Sequence, residues 1–325
     1  MLELFAEQAS VLLRMSDRSS DRRTSDEDIF RSGYAMITGD KLTFDCQKDR
    51  WESQPIKLKC AKEPFSQGGM RLAYRAREVL SGGDEFDVVV KRFKPDMWDD
   101  GFTGEDVYHE AMTQMVAENH AQDFNKLCAE KGLQTRYSIA FLPASVVRTE
   151  RDGENGQYEP LAMEPYLPGE YRKFNDNNGH TETESDVVNA FCYFTYIHSN
   201  KLMVVTDIQG VGTFYTDPQI HTFDGEGFGA GNMGQEGIER WLRGHTHNLI
   251  CEQLGLPSPD EGLTDEELAR KLQAMMDLEA SEAGAMGALQ GGGGLGGADA
   301  DGFGGGWTSQ RYQQGVTELR RQFGL

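Results

Sequence analysis

The sequence predicts an α+β fold on three observations. Residues 71–77 (RLAYRAR) alternate roughly between apolar and polar, residues 87–93 (DVVVKRF) are β-branched and apolar, and Gly82-Gly83 between them makes a hairpin turn. Residues 105–125 run without Gly or Pro and predict one long helix. Residues 203–205 (MVV) add a further short apolar strand. No internal repeat is present.

The flanks read differently. Residues 2–15 are compatible with a short amphipathic helix, and residues 16–28 are polar and charged, the composition of a disordered stretch. Pro257 and Pro259 end the folded region. Residues 264–279 then predict a helix: Thr264 and Glu267 make a capping box, and Leu268, Leu272, Met275 and Met276 recur at helical spacing. Of the 38 glycines, 12 fall in the 23 residues 284–306, so that stretch is a linker with too few apolar side chains for a core. The expected organisation is an extension (1–33), a folded domain (34–257), a helical segment (258–283), the linker (284–306) and a tail (307–325) carrying Arg311, Arg320 and Arg321.

Charge excludes some classes of partner. Asp and Glu total 53 against 32 Lys and Arg, a formal charge of −21, which argues against general binding of a nucleic-acid backbone or of an anionic membrane surface. No apolar run reaches the ~18 residues of a membrane helix; the best stretch, 187–197, contains Asn189 and Thr195. Glu3 and Glu7 stand where a secretory signal would carry basic residues. Five scattered cysteines, an odd number, read as reduced thiols in the cytoplasm.

Four segments have chemistry in them. Gly68-Gly69 precedes the hairpin whose second strand carries Lys91; the lysine fits either a snorkelling surface residue or a phosphate clamp, with Glu110 on the next helix in the right order to hold it. The His-Arg-Asp, Asp-Phe-Gly and Ala-Pro-Glu signatures of ordinary protein kinases are absent. Asp207, Gln209 and Asp217 offer oxygen donors suited to Mg²⁺, and equally suit turns. Residues 229–234 match GxGxxG, but the polar stretch before them is no strand, which rules out a dinucleotide site. His245, His247 and Cys251 suggest zinc, or two surface histidines and a buried cysteine.

Taken together, GGMRLAYRA (68–76), VVKRF (89–93), MEPYLPG (163–169), DIQGVG (207–212), YTDPQIHT (215–222) and FGAGNMG (228–234) resemble the α-kinase family of atypical Ser/Thr protein kinases over about residues 57–256. The resemblance implies a two-lobed α+β kinase fold, with a mostly antiparallel N-lobe, a mixed C-lobe and ATP between them. It implies transfer of the γ-phosphate of Mg-ATP to a protein. Lys91 then contacts the phosphates, with Glu110 as its partner, and Gly68, Gly69 and Arg71 lie at the nucleotide. Glu164 and Tyr166 form the hinge that holds adenine through backbone groups. Asp207 is the catalytic aspartate, Gln209 a metal ligand and Asp217 the second metal-binding acid. Gly229, Gly231, Asn232 and Gly234 belong to the loop that holds substrate.

The zinc of that family, held by two histidines and two cysteines, is matched in part. His245 and Cys251 agree, His247 stands for a cysteine, and Tyr193 stands for the upstream histidine beside Cys192. An alternative reading is an inactive kinase scaffold acting as an interaction protein. Residues 265–273 (DEELARKLQ) look like a short ubiquitin-binding helix. A calmodulin target at residues 2–15 is a further expectation, since one member of the family is controlled by calmodulin, although Arg14 there faces Glu3 and Glu7.

Overall fold

The hairpin around Gly82-Gly83 is the centre of a closed sheet. A computed structural model describes residues 29–259, apart from 47, 49, 134–136 and 150–158. The first lobe contains β1 (Tyr34–Asp45), β2 (Arg50–Ala61), β3 (Ser66–Gln67), β4 (Arg71–Val79) and β5 (Glu85–Phe93). After β6 (Ala140–Phe141), which belongs to the second lobe, β7 (Ser145–Thr149) and β8 (Glu159–Pro165) return to it. The order is β2-β1-β7-β8-β5-β4-β3, every neighbour antiparallel, and β2 also pairs with β4. The sheet therefore curls onto itself and leaves little open edge. Its interior is filled by Ile56, Leu58, Ala76, Val88, Val90 and Met163. Because side chains alternate along a strand, burying Val88 and Val90 turns Val89 and Lys91 to the other face.

Helix α1 (Pro95–Asp99) leads into α2 (Gly104–Glu130), which is longer at both ends than the 105–125 predicted. Thr103 and Asp106 cap it reciprocally. Val107, Ala111, Met115, Ala117, Ala121, Phe124 and Cys128 are all buried, as are the polar Gln114, Glu118 and His120. A helix buried around much of its circumference has elements on several sides, and α2 packs against β1, β7 and β8 of the first lobe and β6 and β13 of the second.

The second lobe is mixed. β9 (Arg172–Lys173), β11 (Gln209–Val211) and β12 (Phe214–Thr216) join β6 in the order β6-β12-β11-β9, with β6–β12 parallel. β10 (Met203–Thr206) pairs with β13 (Gln219–Thr222). A Cβ on Gly210, in the middle of β11, would run into the Phe214 carbonyl oxygen, so the close pairing of β11 with β12 requires glycine there. Helix α3 (Asp186–His198) contains the apolar run at 187–197, α4 is Gly234–Gly244 and α5 is Leu249–Leu254. Phe124, Phe141, Phe191, Phe194 and Tyr215 join α2 and α3 to the small sheet through edge and tilted ring contacts. Among the described residues no helix is long and apolar enough to cross a membrane. The predictions made for 1–28 and 260–325, including the ubiquitin-type and calmodulin-type segments, lie outside the described residues.

Candidate active site

Five charged side chains from the two lobes meet in the cleft. Lys91 Nζ lies 2.7 Å from both carboxylate oxygens of Asp217 and 2.7 Å from Glu164 Oε1. Arg71 bonds Glu110 Oε2 at 2.8 Å and reaches Asp217 Oδ1 at 3.5 Å. Glu110 thus pairs with Arg71 and not, as expected, with Lys91. The register explains this. Val89 pairs with Glu164 and Lys91 with Ala162, so Glu164 is the diagonal neighbour of Lys91 on one face. Glu164 accordingly enters the site through its buried side chain, which also accepts the Thr216 hydroxyl hydrogen.

The electrostatics follow from burial and pairing. Burial opposes the charge on Lys91, yet the carboxylates of Asp217 and Glu164 outweigh it and raise its pKa. Burial likewise opposes ionisation of Asp217, but Lys91 and Arg71 hold its carboxyl at about 2. Glu110 goes the other way: burial pushes it up to about 7 despite Arg71.

Asp207 and Asp217 each follow a short strand, with φ of 56° and 52°. Few residues adopt that left-handed conformation, and Asp is one that does. The Asn175 side chain pins the first turn by accepting the Ile208 N–H at 2.7 Å. Thr206 satisfies its hydroxyl on the Asp176 carbonyl. Lys173 Nζ lies 2.8 Å from Asp207 Oδ1, and Gln209 Nε2 donates to Asp207 Oδ2 at 3.2 Å and to the Asp217 carbonyl at 3.2 Å. Burial still raises the Asp207 pKa against Lys173. Sequence reasoning missed Lys173, Thr216 and Asn175. The GEYRK run beside the hinge was the available signal for Lys173.

Gly68 and Gly69 form the turn before β4, where Gly68 N–H bonds the Arg71 carbonyl at 2.8 Å and a Cβ on Gly69 would meet open space. Tyr166 differs from expectation. Its N–H is spent on the Asp87 carbonyl at 3.0 Å, extending the β5–β8 ladder, so that amide is not free for adenine. Its ring lies instead beneath the Arg75 guanidinium at 3.5 Å. In the loop expected to hold substrate Asn232 is the organiser: Oδ1 accepts the Thr222 and Gly234 N–H groups, and Nδ2 donates to Thr222 Oγ1 at 2.7 Å. Gly229 and Gly234 have φ of 75° and 63°, and at Gly231 a Cβ would run into the Gln219 side chain. A cavity lined by Arg71, Glu110, Asp217, Gly229 and Gly231 joins this loop to the charged cluster.

Two groups of side chains have the chemistry of metal ligands. Two carboxylates and a carboxamide are the hard oxygen donors Mg²⁺ takes, and Gln209 bridges the Asp207 carboxylate and the Asp217 backbone carbonyl through Nε2, so its amide would turn to offer Oε1 to an ion. For zinc, the ligand atoms of His245, His247 and Cys251 lie within 4.8 Å of one another. Both ring nitrogens of His245 and Nδ1 of His247 are buried with no hydrogen-bond partner, which fits nitrogens that meet a cation. Burial, then His247, holds His245 down at about 4, so its ring is neutral. Tyr193 lies against the cluster without ligating it: its ring stacks on His245 at 4.2 Å, and its hydroxyl donates to the Pro257 carbonyl at 2.8 Å. The Cys192 thiol accepts from Asn175 Nδ2 at 3.5 Å.

The fold and this constellation are those of a kinase built outside the ordinary protein-kinase signatures. The sequence model of the alpha-kinase family matches residues 66–251, and the chain belongs to that family. It is 36% identical over 214 residues to myosin heavy chain kinase B of Dictyostelium discoideum, covering 64% of this chain and 27% of that protein. It is 29% identical over 255 residues to human eukaryotic elongation factor 2 kinase, covering 74% and 30%. The chain thus spans under a third of these curated relatives. Among solved structures, the α-kinase domain of myosin-II heavy chain kinase A with AMP-PNP superposes with a TM-score of 0.63 at 31% identity, over 71% of this chain and 98% of that one. An inactive variant of the same domain complexed with ATP gives 0.62 at 30% identity, over 68% and 98%.

Proposed function

We propose that this domain transfers the γ-phosphate of Mg-ATP to a Ser or Thr hydroxyl of a protein substrate. The observation that carries the reading is the pairing of Lys91 with two carboxylates beside Asp207. In that reading Lys91 and Arg71 exchange part of their carboxylate contacts for phosphate oxygens. Gln209 and Asp217 would hold Mg²⁺, which supplies positive charge against the phosphates when bound. Asp207 orients the acceptor hydroxyl and takes its proton as the new oxygen–phosphorus bond forms and the bond to ADP breaks. Its raised pKa suits a base, and Lys173 keeps it turned to the cleft. Phosphoryl transfer asks mainly for such positioning and charge. His245, His247 and Cys251 would hold a structural zinc. Five scattered, buried cysteines support a reducing, cytoplasmic setting.

The test is incorporation of γ-labelled phosphate by the full chain with Mg-ATP, followed by acid hydrolysis of the product. Label on phosphoserine or phosphothreonine, lost in Asp207→Ala, is expected. Nucleotide binding without any transfer, to itself or to a panel of basic and acidic proteins, would leave the inactive-scaffold reading standing.

A further inference from the structure

Gln114 lies in the middle of α2, 3% exposed, under the charged cluster. Its amide is fully engaged. Nε2 donates to Glu164 Oε2 at 3.2 Å and to the Leu142 carbonyl at 2.9 Å. Oε1 accepts the Asp217 N–H at 2.9 Å, and the single Thr216 hydroxyl hydrogen is shared between that oxygen, 3.3 Å away, and Glu164. The orientation of the amide is fixed by its neighbours. Reversed, the NH₂ would face the Asp217 N–H, donor against donor, and the oxygen would face a carboxylate and a carbonyl.

The two residues Gln114 grips are the two anions around Lys91. It holds Glu164 by the carboxylate, and it holds Asp217 by the backbone at a residue with positive φ. We propose that Gln114 is the positioning residue through which helix α2 sets the phosphate-site lysine, by fixing Glu164 and Asp217 together. The inference rests on the transferase reading of the cleft. In ordinary protein kinases a helix glutamate meets the lysine directly; here the link is a neutral amide acting one residue removed. The chemistry at this point is restrictive, because one side chain must donate toward an anion and accept from an N–H. A glutamate supplies a third carboxylate beside Glu164. An apolar residue leaves Glu164 Oε2, the Leu142 carbonyl and the Asp217 N–H short of a partner in a buried place. Any displacement of α2 is passed to both partners of Lys91 at once.

The experiment uses the full chain as Gln114→Met, Gln114→Glu and, as a control on the same helix, Gln122→Met. The readouts are kcat and KM for ATP, the Kd of a fluorescent ATP analogue, and the melting temperature. Gln114→Met is expected to raise KM and Kd about tenfold and to lower kcat/KM on the order of a hundredfold per folded molecule, since misplacement by about 1 Å carries costs of that size. Gln122→Met should leave all three unchanged. Gln114→Glu should be impaired at pH 8 and recover at pH 6 relative to wild type, because a protonated carboxyl again offers one donor and one acceptor.

Unchanged KM, Kd and kcat per folded Gln114→Met would overturn the proposal, as would losses that only track the folded fraction. If that variant does not fold, Gln114→Glu decides: a pH profile parallel to wild type overturns the proposal. If wild type transfers no phosphate yet binds the analogue, the transferase reading fails on its own, and the Kd values alone still judge Gln114.

Discussion

Lys91 lies between Glu164 and Asp217, 2.7 Å from each, with Glu164 delivered by the neighbouring strand rather than by the helix. The consequence is a ranking of two glutamates. Glu164→Gln removes the charge held against Lys91 in a buried pair, where breaking one partner is costly. Glu110→Gln only loosens Arg71, which keeps Asp217. We expect Glu164→Gln to lower kcat/KM by about tenfold or more and Glu110→Gln to stay within about threefold. Parallel steady-state kinetics check the order; equal losses would reinstate Glu110 as the lysine's partner.

Asp207→Ala and Asp217→Ala should each cut kcat by about a hundredfold or more, the scale of losing a proton acceptor or a charge-stabilising group. Neither should unfold the protein. Lys91 keeps Glu164 when Asp217 is lost, and Lys173 keeps Glu182 within 3.9 Å when Asp207 is lost. Lys91→Ala is different: it leaves Glu164 and Asp217 buried beside each other with only Arg71 near, so it should lose both activity and several degrees of melting temperature. Calorimetry beside the kinetic assay separates the two effects, and near wild-type turnover in any of the three removes that residue from the machinery.

What could be read in advance was local. The hairpin at Gly82-Gly83, the long helix and the Met203 strand declare themselves through turn residues and periodicity, and the aspartates through their motif. The partner of Lys91 depended on the register of β5 against β8, and those strands are separated by 65 residues, from Phe93 to Glu159. No periodicity reports such a register. Gln114 and Thr216 were invisible for a related reason: a buried polar residue betrays itself only by what it bonds, and the partners of Gln114 come from three separate segments, at Leu142, Glu164 and Thr216-Asp217.

His120 gives stability a pH dependence. It is 0% exposed, and burial, helped by His198, holds its pKa at about 3. The unfolded chain therefore binds more protons between about 3 and 6.5, so this contribution is complete above 6.5 and is lost as pH falls. At pH 5.5 the loss amounts to about 1.4 kcal/mol. Glu110, raised to about 7, acts with the opposite sign across part of that range, and Asp217, held at about 2, matters only below about 4. The informative quantity is the difference between wild type and His120→Leu in urea unfolding at pH 7.5 and 5.5. Wild type should lose about 1.4 kcal/mol more than the variant; parallel losses would show that His120 titrates normally.

The zinc cluster makes the sharpest prediction, because it is one ligand short. Closed structural sites use four protein ligands, and here His245, His247 and Cys251 supply three. Tyr193 occupies the position of the fourth with its ring stacked on His245, and its hydroxyl is committed to the Pro257 carbonyl. Trp241 covers His245 at 5.0 Å. Cys192 is not among the three ligand atoms that lie together, and its thiol accepts a bond from Asn175. Zinc should therefore bind with water completing its shell and should leave on dialysis against EDTA, with a drop of only a few degrees in melting temperature. Tyr193→His should supply a fourth nitrogen and tighten binding on the order of tenfold or more, while Cys251→Ser should abolish retention. Metal content by mass spectrometry before and after the chelator checks each case. Stoichiometric zinc that survives EDTA in wild type and is lost in Cys192→Ser would mean that the thiol turns into the site after all.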